Sequence, residues 1–247
     1  MRNFSELSYE FIKWKNTVNK RNRYFTKTEL LRLLYDNDKI FSYDVLQGDI
    51  FYRGRIFNLD DIVSNNNQYI EWVDSNEKTF QGYGKRDSGA PIAKTATEGR
   101  LNGKGISFLY ACNNVETVIY ELRPTKDEKV SIAEFVVKRN CIFADLTRFN
   151  SNKINDARLA DLLRLIADEF STPHYAGHNY AFTQYLAGHF MNMGFDGIIF
   201  SSSLSPQGEN FVFFHPNDCE AVSSRLFMVK DISIKFNSLT RKDFRFL

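Results

Sequence analysis

A glutamate in an unfavourable helical position is the first residue of this sequence that points to chemistry. Asn113 can cap a helix with Glu116 three residues later, and Pro124 ends that helix. Glu121 then falls in the last turn, where the partial negative charge of the helix C-terminus opposes its carboxylate. Two interpretations fit this placement: a functional carboxylate beside an inward-packing helix face, or a surface ion pair with Arg123 or another basic residue.

Further polar residues lie at the ends of predicted strands and in a glycine-bearing loop. They are Tyr52, Arg53, Arg100, Asn102, Tyr110, Ser201, Ser202 and Ser203. An arginine among aromatic residues can bind phosphate oxygens with its planar fork while the rings stack on a base. A glycine-rich loop lets the backbone approach a polyanion closely. Each of these residues, taken alone, also fits a structural role.

One carboxylate beside such a set suits cleavage of a glycosidic bond in a phosphorylated nucleotide. When a cationic nicotinamide leaves, the ribose becomes oxocarbenium-like, and a nearby carboxylate such as Glu121 can stabilise it. Nicotinamide leaves without a proton, so the carboxylate need not act as a general acid. Electrostatic support of the ribose cation is therefore the role that this chemistry favours for Glu121.

Several familiar catalytic and metal-binding motifs are absent from the sequence. It contains no GxxxxGK[ST] loop, HExxH helix or GxSxG elbow. Gly82 and Gly84 begin like a dinucleotide-binding fingerprint, but the third glycine is missing. His174 and His178 lie in a segment typical of a loop, with no cysteine or carboxylate to complete a metal site. We therefore expect no metal and no cofactor.

The first forty residues predict a helical hairpin. Apolar residues recur there at steps of three and four and form one stripe, namely Phe4, Leu7, Phe11, Trp14 and Val18. A second helix follows a capping-box pattern that runs from Thr26 to Glu29. We expect the stripe to pack against the rest of the protein; a docking surface for another chain is the alternative. We place an N-terminal helical extension at residues 1–46 and the main domain at residues 47–247.

Short β-rich runs begin at residue 50, and two helices interrupt them. The runs span residues 50–57, 106–111, 130–137, 141–146, 197–201 and 210–214, and the helices span residues 156–170 and 182–193, the second closed by Gly194. A long polar stretch at residues 58–100 is typical of a binding loop or lid. Strands interspersed with few helices favour an α+β fold.

The composition makes several classes of protein and partner unexpected. The net charge is only +2, so no overall field attracts nucleic acid or anionic lipid, and we expect no nucleic-acid partner. Three cysteines without a CxxC pair, and without an N-terminal signal core, favour reduced thiols and a cytoplasmic location. No run of eighteen apolar residues predicts a membrane span.

Taken in order, these residues resemble the RES domain family, which is named for Arg, Glu and Ser. The matching motifs are FYRGR at 51–55, GRLNGKG at 99–105, LYACNNVETVIYE at 109–121, FDGIIFSS at 195–202 and NFVFF at 210–214. The resemblance covers residues 50–216 and makes residues 47–247 a RES-like catalytic domain. It implies an ADP-ribosyltransferase-like mixed β core with flanking helices. It also implies an enzyme that consumes NAD by phosphorolysis or hydrolysis of the nicotinamide bond.

The resemblance implies roles for individual residues as well. Arg53 would grip the NAD phosphates, and Tyr110 would stack on the nicotinamide end. Glu121 would hold the ribose hydroxyls and stabilise the oxocarbenium. Ser202 would be the third family residue, near phosphate or ribose, although its neighbours within residues 201–203 fit the same position. The implied substrate contacts are Tyr52, Arg100, Asn102, Ser201 and Asn210.

The implied partners are NAD, as substrate, and an Xre-type antitoxin, because many family members are toxins held silent by such a protein. Inorganic phosphate is the implied second substrate in phosphorolysis, and a homodimer is a further arrangement to consider. Residues 58–98 and 147–182 form longer segments than in compact members, so substrate access or the acceptor can differ. Two alternatives remain: transfer of ADP-ribose to a protein or nucleic acid, and a catalytically inactive module that binds a partner protein.

Overall fold

The structure is a computed structural model, and it describes residues 2–20, 26–58, 81–148, 154, 156–172 and 179–233. Within this part of the chain, the strands are β1 (Ser42–Val45), β2 (Ile50–Ile56), β3 (Leu109–Cys112), β4 (Lys129–Val137), β5 (Cys141–Asp145), β6 (Gly197–Ser201), β7 (Glu209–Phe213) and β8 (Cys219–Met228). The α-helices are α1 (Arg2–Lys20), α2 (Glu29–Tyr35), α3 (Lys85–Ser88), α4 (Val115–Leu122), α5 (Ala157–Ser171) and α6 (Ala181–Asn192).

The strands form one mixed sheet. Their order across it is β1-β5-β6-β7-β3-β2-β4-β8. β5 and β6 run parallel, and the other neighbouring pairs are antiparallel. A mixed sheet with flanking helices confirms the predicted α+β class. The finer ADP-ribosyltransferase-like assignment stays a prediction.

Buried side chains cover both faces of the sheet. The largest cluster joins α1, α2, α5 and α6 to sheet residues that include Ile198 and Val212. A second cluster lies among the strands and includes Ile199 and Phe213. Because neighbouring strand residues point to opposite faces, this alternation shows a sheet that is buried on both sides near its centre. A small third cluster joins Val118 of α4 to β4.

The apolar stripe of α1 packs against the rest of the protein, as expected. The side chain of Trp14 is 2% exposed, and its ring lies 5.2 Å from the ring of Phe182 on α6 in an edge-to-face arrangement. Phe11 contacts the same phenyl ring at 5.4 Å. Such edge-to-face pairs add to the free energy gained by burying the rings. The described part of the stripe is therefore core and leaves no apolar docking face of its own.

The predicted strands and long helices are present with shifted ends, and two strands were not predicted. The run predicted at residues 106–111 begins only at Leu109, and the run at 210–214 begins one residue earlier. The missed strands are β1 and β8, which form the two edges of the sheet. β1 includes Ser42–Val45, so residues assigned by sequence to the N-terminal extension contribute to the sheet. The proposed division at residue 46 stays a prediction.

Two predicted caps are wrong by one or two residues. Asn114, not Asn113, caps α4, because its side chain accepts a hydrogen bond from the Thr117 N–H at 2.7 Å. Thr28, not Thr26, caps α2 by the same geometry. Gly194 follows α6 with a φ of 91°, which confirms its predicted place at that helix end. Among the described helices, none combines the length and apolar content needed to cross a bilayer.

Candidate active site

Helix α4 places Glu121 above the middle of the sheet. The helix packs against β2 at Gly54, where an added Cβ would lie 2.4 Å from Val118 Cγ1 and 2.7 Å from Leu122 Cδ1. Glycine at this position therefore allows the helix to approach the strand closely. Arg123 ends α4 in the left-handed region with a φ of 49°. In the described part of the chain no ion pair joins Glu121 to Arg123 or to another basic residue, so the surface-pair interpretation finds no support there.

The carboxylate of Glu121 is fixed through one oxygen. Its Oε1 accepts hydrogen bonds from Ser202 Oγ at 2.7 Å and from Asn210 Nδ2 at 2.9 Å. The Ser202 hydroxyl in turn accepts the N–H groups of Leu204 at 3.1 Å and Ser205 at 3.2 Å. No described residue donates to Oε2, and the side chain of Glu121 is exposed. One carboxylate oxygen is therefore held in place and the other is available to a ligand.

Glu121 lines a pocket with a volume of about 220 Å³. Six of the sequence-predicted site residues line it, namely Tyr52, Arg53, Arg100, Tyr110, Glu121 and Asn210. Binding pockets for whole small ligands usually measure about 300–1,000 Å³. The pocket therefore suits one end of a larger ligand, whose remainder would extend from its mouth.

Arg53 brings a positive charge into the pocket from β2. Its Nη1 donates a hydrogen bond to the Tyr110 carbonyl oxygen at 2.9 Å, while its buried Nε has no hydrogen-bond partner in the described structure. Burial, with a smaller contribution from the charge of Arg55, lowers the pKa of Arg53 to about 10. The guanidinium is therefore still charged at neutral pH. Among the described residues, no carboxylate forms an ion pair with it.

Arg100 provides a second positive charge. Its Nη1 donates to the Phe170 carbonyl at the end of α5, and its guanidinium lies 5.5 Å from the centre of the Phe200 ring. Burial lowers the pKa of Arg100, and the nearby charge of Glu121 acts in the opposite direction. No ion pair joins Arg100 to a carboxylate in the part of the chain that the structure describes. The pocket is thus lined by two arginines and one carboxylate.

Tyr110 and Asn102 hold the loop that carries Arg100. The Tyr110 hydroxyl donates to Asn102 Oδ1 at 2.7 Å and accepts the Leu101 N–H at 3.1 Å. Asn102 Nδ2 donates to loop carbonyls, including that of Ile106 at 2.9 Å. Burial raises the pKa of Tyr110 to about 12, so its hydroxyl stays protonated at neutral pH. The hydroxyl of Tyr110 is therefore already used within the protein, and the residue also lines the pocket.

Not every predicted substrate contact reaches the pocket. Asn102 is buried in its loop, and Ser201 is exposed at the end of β6; neither lines the cavity. Within residues 201–203, Ser202 is the serine that contacts Glu121. Cys112 and Phe200 also line the pocket, and neither was singled out from the sequence. The position of Cys112 in the same motif as Tyr110 and Glu121 is the signal that could have found it.

Candidate metal ligands do not cluster in the described structure. In the described ranges, no group of three or more histidine, cysteine, aspartate or glutamate side chains is arranged to hold an ion. His174 and His178, which the sequence analysis considered, lie outside the described residues. The polar stretch at residues 58–100 is described only at its ends, so its interpretation as a lid also stays a prediction.

Comparison with known proteins gives one family match. A family model described as "RES domain" matches residues 72–236, a segment that contains Arg100, Glu121 and Asn210 but begins after Arg53. No curated protein matches the chain. A solved structure, the M. tuberculosis MbcT–MbcA toxin-antitoxin complex, has 10% sequence identity and a TM-score of 0.48, with 82% of this chain and 93% of the other covered.

Proposed function

Because the chain belongs to the RES domain family, whose model spans residues 72–236, we propose that it degrades NAD by cleaving the bond between nicotinamide and ribose. The family resemblance supplies the substrate, and the charges of the pocket support it. The enzyme would be an NAD phosphorylase or an NAD glycohydrolase. It would need no metal or other cofactor, since the leaving group of NAD is already a cation.

The observation that carries the proposal is the way in which Glu121 is held. Ser202 and Asn210 both bond to Oε1, at 2.7 and 2.9 Å, so the carboxylate keeps one orientation while Oε2 stays available. A fixed negative charge of this kind can stabilise a developing ribose cation without reorganising during the reaction. Either Oε2 or the whole carboxylate would lie next to the ribose hydroxyls and C1′.

The reaction balances without a proton transfer to the leaving group. The bond between C1′ and the nicotinamide nitrogen breaks, and its electron pair moves onto the nitrogen, which becomes neutral. The ribose carries the positive charge until an oxygen of phosphate or water forms a new bond to C1′. With water, one proton is released to solvent; with a phosphate dianion, none need be released. Glu121 acts electrostatically in both cases.

The two arginines suit the anionic part of NAD. Arginine side chains stay protonated at neutral pH in proteins, and neither Arg53 nor Arg100 forms an ion pair with a described carboxylate. Guanidinium groups bind phosphate oxygens strongly because their N–H groups match the geometry of the oxygens. We assign them to the phosphates, with the nicotinamide end beside the ring of Tyr110.

As the biological part of the proposal, the protein acts as a toxin that an Xre-type antitoxin neutralises. The family resemblance is the support for this part. Loss of NAD explains toxicity directly, because a small amount of enzyme can consume the whole cellular pool. Expression of the intact chain should lower cellular NAD and stop growth, and co-expression of its antitoxin should restore both.

The decisive experiment incubates the purified protein with NAD, with and without inorganic phosphate, and identifies the products by mass. Release of free nicotinamide is the expected result. ADP-ribose-1″-phosphate as second product identifies phosphorolysis, and ADP-ribose identifies hydrolysis. Label from NAD appearing on a protein or nucleic acid would replace the proposal with ADP-ribosyl transfer, and intact NAD would remove it.

Glu121→Gln tests the assigned role, with Glu116→Gln as the matched control on the same helix. The amide keeps the size of the side chain but removes its charge, so we expect kcat to fall about 10²- to 10³-fold, as for loss of one electrostatic contact to a transition state. Glu116 is exposed in the first turn of α4, and its variant should keep full activity. Equal rates in the two variants would exclude Glu121 from the reaction.

A further inference from the structure

Asn210 is the only link between Cys112 and Glu121 among the described hydrogen bonds, and it uses both ends of its amide. Its Nδ2 donates to Glu121 Oε1 at 2.9 Å, and its Oδ1 accepts from Cys112 Sγ, with the two atoms 3.3 Å apart. Cys112 and Asn210 are direct partners in the register of β3 and β7. The sheet itself therefore sets the thiol next to the amide oxygen.

An asparagine side chain can present either its N–H₂ group or its oxygen to a neighbour. These two orientations differ by a half-turn of the amide, and the hydrogen-bond partners decide between them. With the oxygen towards Glu121, two electronegative oxygens would face each other. With the N–H₂ group towards Glu121, the carboxylate gains a charge-assisted hydrogen bond. A donor at position 112 favours the second orientation, because it needs the amide oxygen on its own side.

The thiol is suited to this role because it keeps its proton. Cys112 is buried, and burial raises the pKa of its thiol to about 12, with the nearby negative charge of Glu121 acting in the same direction. The group is therefore a donor throughout the neutral range. Asn210 is also buried, at 9% exposure, so water competes little for its amide.

We propose that Cys112 and Asn210 are positioning residues for the reaction, and that the thiol orients the Asn210 amide so that it holds Glu121 ready for the ribose cation. This proposal rests on the proposed function of the same pocket. It differs from the sequence interpretation of Asn210, in which that side chain contacts the substrate. It also gives Cys112 a role although the residue neither attacks the substrate nor titrates near neutral pH.

The test compares donor-free and donor-retaining replacements of Cys112 in the full chain. Cys112→Val removes the donor, with Cys112→Ala as a smaller donor-free variant, whereas Cys112→Ser keeps a hydroxyl donor. We expect Cys112→Val, Cys112→Ala and Asn210→Ala each to lower kcat roughly tenfold, the loss typical of one hydrogen bond to a charged group. The KM for NAD should change less than about twofold, because neither residue need bind the substrate. Cys112→Ser should stay near the wild-type kcat.

A double variant distinguishes the proposed relay, in which the Cys112 thiol acts on Glu121 through the Asn210 amide, from general damage to the sheet. If the thiol acts only through Asn210, Cys112→Val should add almost nothing to the loss already caused by Asn210→Ala. Independent losses that multiply would overturn the proposal. So would wild-type turnover by Cys112→Val, or an equal loss of kcat in Cys112→Ser and Cys112→Val.

A second readout does not depend on NAD turnover. In ¹⁵N-labelled protein, the Asn210 side-chain resonance is identified by its absence in Asn210→Ala. One of its protons should be shifted downfield by the carboxylate in wild type and Cys112→Ser, and this shift should be lost in Cys112→Val. An unchanged resonance in Cys112→Val would refute the relay. If the wild-type protein leaves NAD intact, the proposed function fails. The spectrum still shows in that case whether the Cys112 thiol orients the Asn210 amide towards Glu121.

Discussion

Burial of the Arg53 guanidinium lowers the stability of the folded protein. Its guanidinium is charged, its Nε is buried without a hydrogen-bond partner, and in the described structure no carboxylate neutralises it. A buried polar group without a partner typically costs about 1–3 kcal/mol. Proteins tolerate such groups mainly at functional sites, where a bound ligand supplies the missing hydrogen-bond partner. The unfavourable placement of Arg53 therefore agrees with its assignment to an anionic substrate.

Replacing Arg53 by methionine should separate stability from function. Arg53→Met removes the unpaired charge but keeps most of the chain length, so we expect a higher Tm together with weaker NAD binding. A gain of 1 kcal/mol corresponds to roughly 2–4 °C for a chain of this size. Differential scanning calorimetry and isothermal titration with NAD would measure the two effects. A variant less stable than wild type would contradict the idea that Arg53 is strained by burial.

The pH dependence of this stability difference follows from the lowered pKa. Below pH 10 Arg53 is charged in the folded and the unfolded protein, so the full cost of burying the charge is present. As the pH rises through about 10, the folded protein loses the proton first and the cost decreases. The difference in free energy of unfolding between Arg53→Met and wild type should therefore be constant from pH 6 to pH 9 and shrink above about pH 10.

Arg55→Met is the control for NAD binding. Arg55 lies on the same strand but is exposed, so its replacement should not weaken NAD binding.

At the scale of elements, the contact between α4 and β2 fixes the height of Glu121 above the sheet. Only a glycine at position 54 leaves room for Val118 and Leu122, since an added Cβ would come within 2.4 and 2.7 Å of their side chains. Both contacts are shorter than real Cβ atoms allow, so the helix or the side chains must move. Because Glu121 lies directly before Leu122, a movement of the helix displaces the carboxylate.

Gly54→Ala should therefore reduce kcat while the protein still folds. We expect overpacking to lower the free energy of unfolding by about 1–3 kcal/mol. We also expect a clear fall in NAD turnover, because the carboxylate is displaced from its working position. Gly188→Ala is the control: an added Cβ there meets no atom within 4 Å, and alanine suits the interior of α6 better than glycine. Thermal unfolding and NAD turnover measured on both variants test the contact. An active Gly54→Ala variant with an unchanged Tm would show that the helix position is not critical.

Sequence patterns predicted the elements with clear periodicity and missed those specified by distant partners. β2 was found from its run of β-branched and aromatic residues, and α5 because its apolar residues recur with the period of a helix. β8 combines Ser223, Ser224 and Arg225 with apolar residues, and pairing with β4 along nine residues is what makes it a strand. β1 is short, and its pairing partner β5 lies about a hundred residues away in sequence.

The same limit applies to the site. Glu121 and Arg53 could be found from residue type and local context, and Ser202 from the family motif. The two hydrogen bonds to Glu121 Oε1 could not, because they depend on the register of β3 with β7 and on the turn after β6. For the same reason, the family resemblance implied a substrate contact for both Asn102 and Asn210, whereas Asn102 bonds within its loop and Asn210 bonds to the carboxylate of Glu121.

At the scale of the whole molecule, the segment matched by the family model does not contain all residues of the candidate site. The match begins at residue 72, whereas β2, with Arg53 and Gly54, lies before it and forms the neighbour of β3 in the sheet. The helices α1 and α2 precede β2 and share the largest buried cluster with α5 and α6. Lys15 on α1 also pairs with Glu169 on α5 at 2.5 Å. The described N-terminal residues are therefore part of the same core as the rest.

A shared core predicts that α1 and the sheet unfold in one transition. Trp14→Ala should lower the free energy of unfolding by about 3–5 kcal/mol, the usual loss for a large aromatic side chain removed from a core. Because the lost contacts include Phe182 on α6, the whole transition should move to lower urea concentration without splitting in two. Circular dichroism and hydrogen exchange of sheet amides should report the same midpoint. Tyr9→Ala on the same helix, at a side chain 70% exposed, should leave that midpoint unchanged. If α1 and α2 form a separate unit, Trp14→Ala will instead produce an early transition of helical signal while the exchange protection of the sheet stays at its wild-type value.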